Sequence, residues 1–187
     1  MLYDTLNPCI LVTKPNIKGI LSAAYQIHIP NTPLHKSIGI SIDTDTARIP
    51  SSKLLLASIK KEGSLSSVGG EYKQGKVTAL TGNFGTYVII ADSISPTIKV
   101  LGLSPKNEIN DTTKLLIKTS DNMSGISSYN AYINNVWILL DYDAKNDMLQ
   151  YEFDNKTIFN QKQELHIIVI DKKGNTATWK SDVIFKK

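Results

Sequence analysis

Three histidines are the residues of this chain best able to bind a metal, and their spacing does not support this role. His28, His35 and His166 are all more than four residues apart, which excludes a helical zinc pair and a His-x-His strand pair. His166 stands between two apolar residues of a predicted strand, where we expect it to point outward. Because metal sites need clustered donors, the sequence predicts no catalytic and no metal-binding residue.

Acidic and amide side chains near the predicted strand ends are the second candidates for chemistry. They are Asp121, Asp143, Asp154, Asp171 and Asn175. Loops at one end of a sandwich could gather some of them around calcium, although no EF-hand spacing is present. Asp and Asn are also the residues that turns prefer, because their side chains bond to nearby backbone. The turn interpretation is favoured, and calcium binding by these loops stays open.

Nucleophile and phosphate motifs are missing from the sequence. The serines form no Gly-x-Ser-x-Gly elbow and no plausible triad. Gly69-Gly70 precedes Glu71, whose charge would repel a phosphate. The single cysteine, Cys9, excludes an internal disulfide, and its apolar neighbours predict a small buried residue. The sequence therefore predicts a non-enzymatic chain without a cofactor.

Aromatic residues predicted to lie on strand surfaces could stack on sugars. They are Tyr72, Tyr129, Tyr132, Trp137 and Tyr142. Cross-strand packing explains them more simply.

Charge and hydropathy limit the classes of partner that the sequence predicts. The 187 residues carry a net charge of +4, with lysines scattered in short pairs and no basic stripe, so a nucleic-acid partner is not predicted. No run approaches the roughly 18 to 20 apolar residues of a membrane span, so membrane insertion is not predicted either. The first residues lack the layout of a signal peptide.

The elements that position these residues are short β runs around one central stretch, residues 84 to 101. In the run Thr86 to Ala91, the odd-numbered and the even-numbered residues are both largely apolar, which predicts a strand buried on both faces. Asp92 to Pro96 interrupts it, and a β pattern resumes at Thr97. We therefore predict an all-β chain of two β-sandwich domains in tandem, over residues 1–93 and 94–187. In the first domain, Tyr3 to Leu6 is one of the plausible strands.

The second domain shows about seven short apolar runs, the number typical of an immunoglobulin-like or fibronectin III-like sandwich. They are Ile98 to Leu103, Lys114 to Thr119, Ser127 to Ile133, Val136 to Tyr142, Met148 to Phe153, Leu165 to Asp171 and Ala177 to Phe185. Asn134-Asn135 predicts a type I′ hairpin turn, because Asn tolerates positive φ. Three sets of alternating residues are predicted to face the core. They are Leu149, Tyr151 and Phe153; Leu165, Ile167 and Val169; and Ala177, Trp179, Val183 and Phe185.

Several segments resemble known bacterial modules. SDNMSGI at 120–126 and DKKGNTAT at 171–178 resemble immunoglobulin-like modules of bacteria. The segment at 129–154 is similar to the C-terminal region of exported Bacteroidetes endopeptidases of the lysostaphin type, which use zinc to cut peptidoglycan. Its sequence is YNAYINNVWILLDYDAKNDMLQYEFD. YQIHIPNTPLHKSIGISI and GKVTALTGNFGTYVIIADSISPTI resemble the module that precedes that region. The resemblance covers nearly the whole chain.

The catalytic motifs of that family, His-x-x-x-Asp and His-x-His, are not found here. His28 is followed four residues later by Thr32, and His166 by Ile170. The resemblance thus implies an accessory region whose peptidase domain lies upstream, in an exported protein of the bacterial periplasm or cell envelope. The expected partner is peptidoglycan, a surface glycan or that peptidase domain. The alternatives are an adhesion or glycan-binding module without an enzyme, and a spacer that binds nothing.

Overall fold

The computed structural model describes residues 9–30, 32–44, 49–111, 113–154 and 157–187, and its regular structure is almost entirely β. The chain forms two compact units, Met1–Ser93 and Ile94–Lys187. The predicted strand Tyr3 to Leu6 lies outside the described residues. Within them, no helix has the length and the hydropathy needed to cross a membrane.

The described residues of unit 1 form eight strands in two antiparallel sheets. They are β1 (Ile10–Thr13), β2 (Ala24–Ile27), β3 (Pro33–Asp43), β4 (Leu54–Ile59), β5 (Leu65–Gly69), β6 (Glu71–Lys73), β7 (Lys76–Asn83) and β8 (Gly85–Ala91). The five-stranded sheet has the order β1-β2-β8-β4-β5, and the three-stranded sheet has the order β3-β7-β6. A 3₁₀ turn, Ser51–Lys53, precedes β4.

Strand β8 is the centre of unit 1, as its apolar sequence predicts. Tyr87 and Ile89 join the core between the two sheets, together with residues of β3, β4 and β7. Val88 and Ile90, which point to the other face of the sheet, are buried as well. The strand buried on both faces is therefore confirmed. After it, Asp92 to Pro96 forms no regular element before the next strand begins.

A glycine corner joins the two sheets of unit 1. Gly69 and Gly70, with φ of 84° and 104°, turn the chain from β5 into β6. A Cβ on Gly70 would lie 2.5 Å from the carbonyl oxygen of Thr78. Only glycine fits both the backbone angle and the close approach to β7. The serine-rich strand β5 is missed by apolar patterning, because only two of its residues are strongly apolar.

In unit 2, the part of the chain that the structure describes forms nine strands in two sheets. They are β9 (Thr97–Val100), β10 (Glu108–Ile109), β11 (Lys114–Ser120), β12 (Ile126–Ile133), β13 (Val136–Ile138), β14 (Asp141–Asp143), β15 (Met148–Glu152), β16 (Lys162–Asp171) and β17 (Thr176–Phe185). The sheets have the orders β14-β15-β11-β9 and β10-β17-β16-β12-β13.

This order is that of an immunoglobulin domain. Strands β9, β11, β15 and β14 take the A, B, E and D positions, and β12, β16 and β17 take the C, F and G positions. Strand β13 extends the second sheet beyond β12, as the C′ strand does in variable domains. The prediction of an immunoglobulin/fibronectin III-like sandwich in an all-β chain is confirmed.

The core of unit 2 follows the alternation in the sequence. Leu165, Ile167 and Val169 are completely buried, and Val183 and Phe185 are equally so. Trp179 and Phe153 are partly buried and pack against this core. Leu149 and Tyr151 are buried as well, so the three predicted inward sets face the core with the exception of Ala177, which is only partly buried.

The predicted hairpin turn is also present. Asn134 and Asn135 have φ of 49° and 64°, both in the left-handed region, and they join β12 to β13. This combination of angles is that of a type I′ turn.

Two sequence predictions are wrong. Val136 to Tyr142 is not one strand: β13 ends at Ile138, and β14 begins at Asp141 in the other sheet. Apolar patterning cannot show that the chain changes sheet here, since Ile138 at the end of β13 and Leu140 just before β14 are both buried. Cys9 is exposed rather than buried, because it precedes the edge strand β1, all of whose residues are exposed.

Candidate functional site

Four side chains form one row across the outer face of the five-stranded sheet of unit 2. The register pairs Trp137 of β13 with Tyr132 of β12, Tyr132 with His166 of β16, and His166 with Lys180 of β17. We call these four residues the aromatic row. Neighbouring strands lie about 4.8 Å apart, so a row across four strands is about 14 Å long.

The alternation of the strands places this row outside the core. On β16, the buried Leu165 and Ile167 flank His166. On β12, the buried Ala131 and Ile133 flank Tyr132. Successive side chains of a strand point to opposite faces, so the residues between the buried ones face outward. His166 therefore points outward, as its position in the sequence predicts.

Trp137 is the most accessible ring of the row, with 47% of its surface exposed on an edge strand. Its indole Nε1–H donates a hydrogen bond to Oδ1 of Asn130, at 3.1 Å. This bond ties the ring to the neighbouring strand and limits the orientations it samples. Tyr132 and His166 continue the surface, with ring centroids 6.0 Å apart and planes inclined by 35°.

Charged groups border the row at its far end. The Lys180 ammonium lies 3.0 Å from Oε1 of Glu164. A second pair, Lys162 and Asp182, lies on the same strands at 2.8 Å. Both pairs are well exposed to solvent, and such pairs contribute little to stability. Their donors and acceptors are accessible to a ligand.

The chemistry of this surface suits a carbohydrate. The C–H face of a sugar ring is apolar and flat, while its hydroxyl groups project from the edge. A fixed indole and a tilted tyrosine offer apolar surface for such a face, and an amide, an imidazole and an ammonium offer hydrogen bonds around it. Preorganised rings also lower the entropy cost of binding. The row provides no arrangement of acid, base and nucleophile.

The other predicted surface aromatics lie outside the row. Tyr72 packs against the core of unit 1, and Tyr129 packs against the core of unit 2. Tyr142 lies with its ring centroid 5.9 Å from that of Tyr129. Burial, followed by the nearby charge of Asp147, raises the pKa of the Tyr142 hydroxyl. Of the five aromatic candidates, only Tyr132 and Trp137 therefore belong to the row.

Lys180 and Asn130 are members of this surface that residue-by-residue reading misses. Neither belongs to a motif. The tight turn at Asn134-Asn135 sets the register of β13 against β12 and so brings Trp137 to Asn130, whereas the position of Lys180 also depends on the pairings of β16. That turn is visible in the sequence, so the Trp137–Tyr132 pairing could have been derived from it.

The predicted turn aspartates do bond to nearby backbone. Oδ2 of Asp121 accepts from the N–H groups of Met123 and Gly125, at 3.0 and 2.7 Å. Oδ1 of Asp171 accepts from the N–H groups of Lys173 and Asn175, at 2.7 and 2.9 Å. The turn interpretation of these two residues is confirmed.

Asp143 and Asp154 are also held locally. Oδ1 of Asp143 accepts from the N–H of Lys145 at 3.0 Å, and Asp154 accepts from the hydroxyl of Tyr151.

The structure places the three histidines in different settings. His28 has φ of 54°, and its ring lies edge-on to Phe84 with centroids 5.0 Å apart. His35 is exposed on β3. His166 belongs to the aromatic row. Among the described residues, none of the three takes part in a group of three metal-ligating side chains.

Comparison with known proteins gives a family match and likenesses to ten chains of solved structures. Residues 1–92 match the family model of the Zu5-like domain. A solved structure titled "Structures of Clostridium thermocellum CbhA fibronectin(III)-like modules" is similar, with 18% identity and a TM-score of 0.38 over 84% of this chain and 93% of that chain. A likeness of this size carries no argument about function. No curated protein matches the chain.

Proposed function

We propose that this chain is a non-catalytic accessory region of an exported bacterial protein, and that its aromatic row binds a glycan of the cell wall. The observation that supports the proposal most directly is the half-exposed Trp137, held by Asn130 in line with Tyr132, His166 and Lys180. Cross-strand packing alone does not require so large a ring to keep 47% of its surface in solvent.

The proposal extends to the protein that carries the region. The resemblance to the C-terminal region of lysostaphin-type endopeptidases supports an upstream zinc peptidase that acts on peptidoglycan. A wall-binding region would hold this enzyme near its substrate and raise its effective concentration there. A weak single site is sufficient for this purpose, because tethering converts the second encounter into an intramolecular one. The same resemblance supports a location in the periplasm or cell envelope.

The test is retention of the purified chain by bacterial wall sacculi. Truncating an aromatic anchor at the centre of a contact typically lowers affinity by about tenfold or more, so we expect Trp137→Ala to lose most of the retention. Val136→Ala is the matched control. Val136 is on the same edge strand and is 51% exposed, but it alternates with Trp137 and carries no flat ring.

Three outcomes separate the hypotheses. Retention of the unmodified chain and of Val136→Ala, but not of Trp137→Ala, supports glycan binding through the row. Equal retention of all three proteins refutes this role of the row. No retention of any of them favours a spacer. The gene segment upstream of Leu2 separates an enzyme accessory from an adhesion module, because a peptidase would contribute His-x-x-x-Asp and His-x-His.

A further inference from the structure

A second surface of unit 1 suits a different ligand from the one proposed above. A cleft of about 650 Å³ opens at one end of the sandwich, bordered by the end of β4, the middle of β5, the end of β7 and the start of β8. Its lining comes entirely from unit 1 and includes Ser58, Ser66, Thr81 and Tyr87.

At the cleft, the apolar core residues of β4 and β7 are followed along each strand by residues with hydroxyl groups. Leu54 and Leu56 of β4 are in the core, and Ser58 is the next residue on the same face. On β7, Val77 and Ala79 are in the core, and Thr81 follows. These polar side chains cannot complete an apolar core, so polar groups line this end of the sandwich, where the Thr81 and Tyr87 hydroxyls form a hydrogen bond of 3.0 Å.

The backbone of β5 has an unpaired edge along this cleft. The Lys60 N–H donates to the Ser64 carbonyl at 2.9 Å, which makes this pair a bonded one in the β4–β5 ladder. Hydrogen-bonded and non-hydrogen-bonded residue pairs alternate along an antiparallel ladder. The backbone N–H and C=O groups of Ser66 therefore point towards β4, whereas those of Leu65 and Ser67 point away from it. Within the described part of the chain, β5 is the last strand of its sheet.

The backbone of β7 has a second such edge. The Thr44 N–H donates to the Gly75 carbonyl at 2.9 Å, which makes this pair a hydrogen-bonded one between β3 and β7. Because such pairs alternate with non-bonded ones, the backbone N–H and C=O groups of the odd-numbered β7 residues point towards β3, and those of the even-numbered residues point towards β6. Strand β6 begins at Glu71, opposite Thr78. The peptide groups of Leu80 and Gly82 therefore extend beyond β6, and among the described residues no strand pairs with them on that side.

The charge at the entrance of the cleft indicates the kind of ligand. Lys60 and Lys61 lie in the turn after β4, and both line the cleft. Glu62 lines the cleft as well; it accepts a hydrogen bond from the Ser64 hydroxyl at 2.7 Å, and this bond lowers the pKa of its carboxyl group. The two ammonium groups leave the entrance with a net positive charge, which favours a ligand that carries carboxylates.

We propose that this cleft binds an extended peptide segment rich in carboxylates, which adds as a strand to the open edge of β5. Main-chain hydrogen bonds to Leu65 and Ser67 give affinity, and the two lysines select the charge. The proposal does not depend on glycan binding by unit 2. It uses the general tendency of an exposed strand edge to pair with another chain.

The test is a titration of the ¹⁵N-labelled full chain, followed by amide chemical shifts. The probes are two acetylated hexapeptides with the same strand-forming core: Thr-Val-Thr-Val-Asp-Asp with a free carboxylate, and Thr-Val-Thr-Val-Asn-Asn as the amide. We expect the acidic peptide at millimolar concentration to shift the amides of Leu65, Ser67, Leu80 and Gly82. The neutral peptide should bind about fivefold more weakly, as expected for the loss of surface charge pairs.

Two variants complete the test. Lys60→Gln combined with Lys61→Gln should remove the preference for the acidic peptide while leaving the fold unchanged. Ser67→Pro removes an N–H that points out of the sheet, and should abolish binding of both peptides. Trp137→Ala is the control and should bind as the unmodified chain does.

The proposal is overturned if the unmodified chain shows no shifts in the cleft, if the neutral peptide binds equally well, or if the lysine variant keeps the preference. The first two outcomes need no variant, so they stand even if Ser67→Pro does not fold.

Discussion

Replacement of Gly70 by alanine tests the geometry of unit 1 most sharply. Gly70 has φ of 104°, a backbone conformation that L side chains rarely adopt. An added Cβ would lie 2.5 Å from the Thr78 carbonyl oxygen and 2.8 Å from the Cβ of Ala79. Both atoms belong to β7, whose backbone is held by β3 and β6, so neither can move aside easily. The neighbouring Gly69 is the matched control, since it has φ of 84° but open space around its Cβ position.

The expected losses follow from these two environments. Gly69→Ala costs only the conformational penalty of positive φ, about 1 to 2 kcal/mol. Gly70→Ala adds steric overlap with fixed backbone, and overpacking of this kind costs about 1 to 3 kcal/mol more. The difference between the two variants is therefore expected to be about 2 kcal/mol in the free energy of unfolding.

The assay is urea denaturation followed by amide peaks of unit 1 in NMR spectra. Both tryptophans, Trp137 and Trp179, lie in unit 2, so tryptophan fluorescence reports that unit and not the one that carries the substitution. Equal midpoints for Gly69→Ala and Gly70→Ala, at equal slopes, would refute the close approach of the corner to β7.

Three further predictions concern unit 2. Asn135→Gly should stabilise it by about 0.5 kcal/mol in thermal unfolding followed by tryptophan fluorescence, because Asn-Gly is the preferred pair for a type I′ turn; a lower melting temperature would contradict this turn type. Asp111 accepts from the N–H and the hydroxyl of Thr113, at 2.8 and 2.7 Å, and the hydroxyl bond is the main cause that lowers the pKa of its carboxyl group. Because the Asp111 pKa is lower in the folded than in the unfolded chain, this carboxylate stabilises the fold at pH values above the unfolded pKa, and the stabilisation is lost as the pH falls through the folded pKa. Thr113→Val should therefore raise the Asp111 pKa in an NMR titration. An unchanged titration midpoint would show that the hydroxyl does not lower this pKa. Ile117→Ala, at a fully buried site, should cost about 3 kcal/mol, whereas Leu139→Ala, at a site that is 62% exposed, should cost less than about 0.5 kcal/mol; similar losses in urea denaturation would place Ile117 outside the core.

Pairing of the strands is where sequence and structure differ most. The run Val136 to Tyr142 looks like one strand because its apolar residues continue without a turn signal. The structure divides it between two sheets, which is possible because β13 and β14 are both edge strands. The two-residue strand β10 could not be predicted, since it pairs in parallel only where β17 happens to pass.

The candidate sites show the same division. Single residues of the aromatic row are visible in the sequence as outward positions, for example His166 between two core residues. Their alignment over four strands depends on the register of three separate pairings. The cleft of unit 1 is invisible in the sequence, because Ser58 and Thr81 look like ordinary polar strand residues until the sheets bring them to the same end.

Alternation and turn chemistry are local properties, and for that reason the amino-acid sequence determined the β class, the inward sets of unit 2 and the Asn134-Asn135 turn without any tertiary information. The burial of β8 on both faces followed from its composition in the same way. Which strands become edges, and which polar groups meet across them, was decided only by the tertiary structure. Those relations join residues far apart in the chain, and no local preference fixes them.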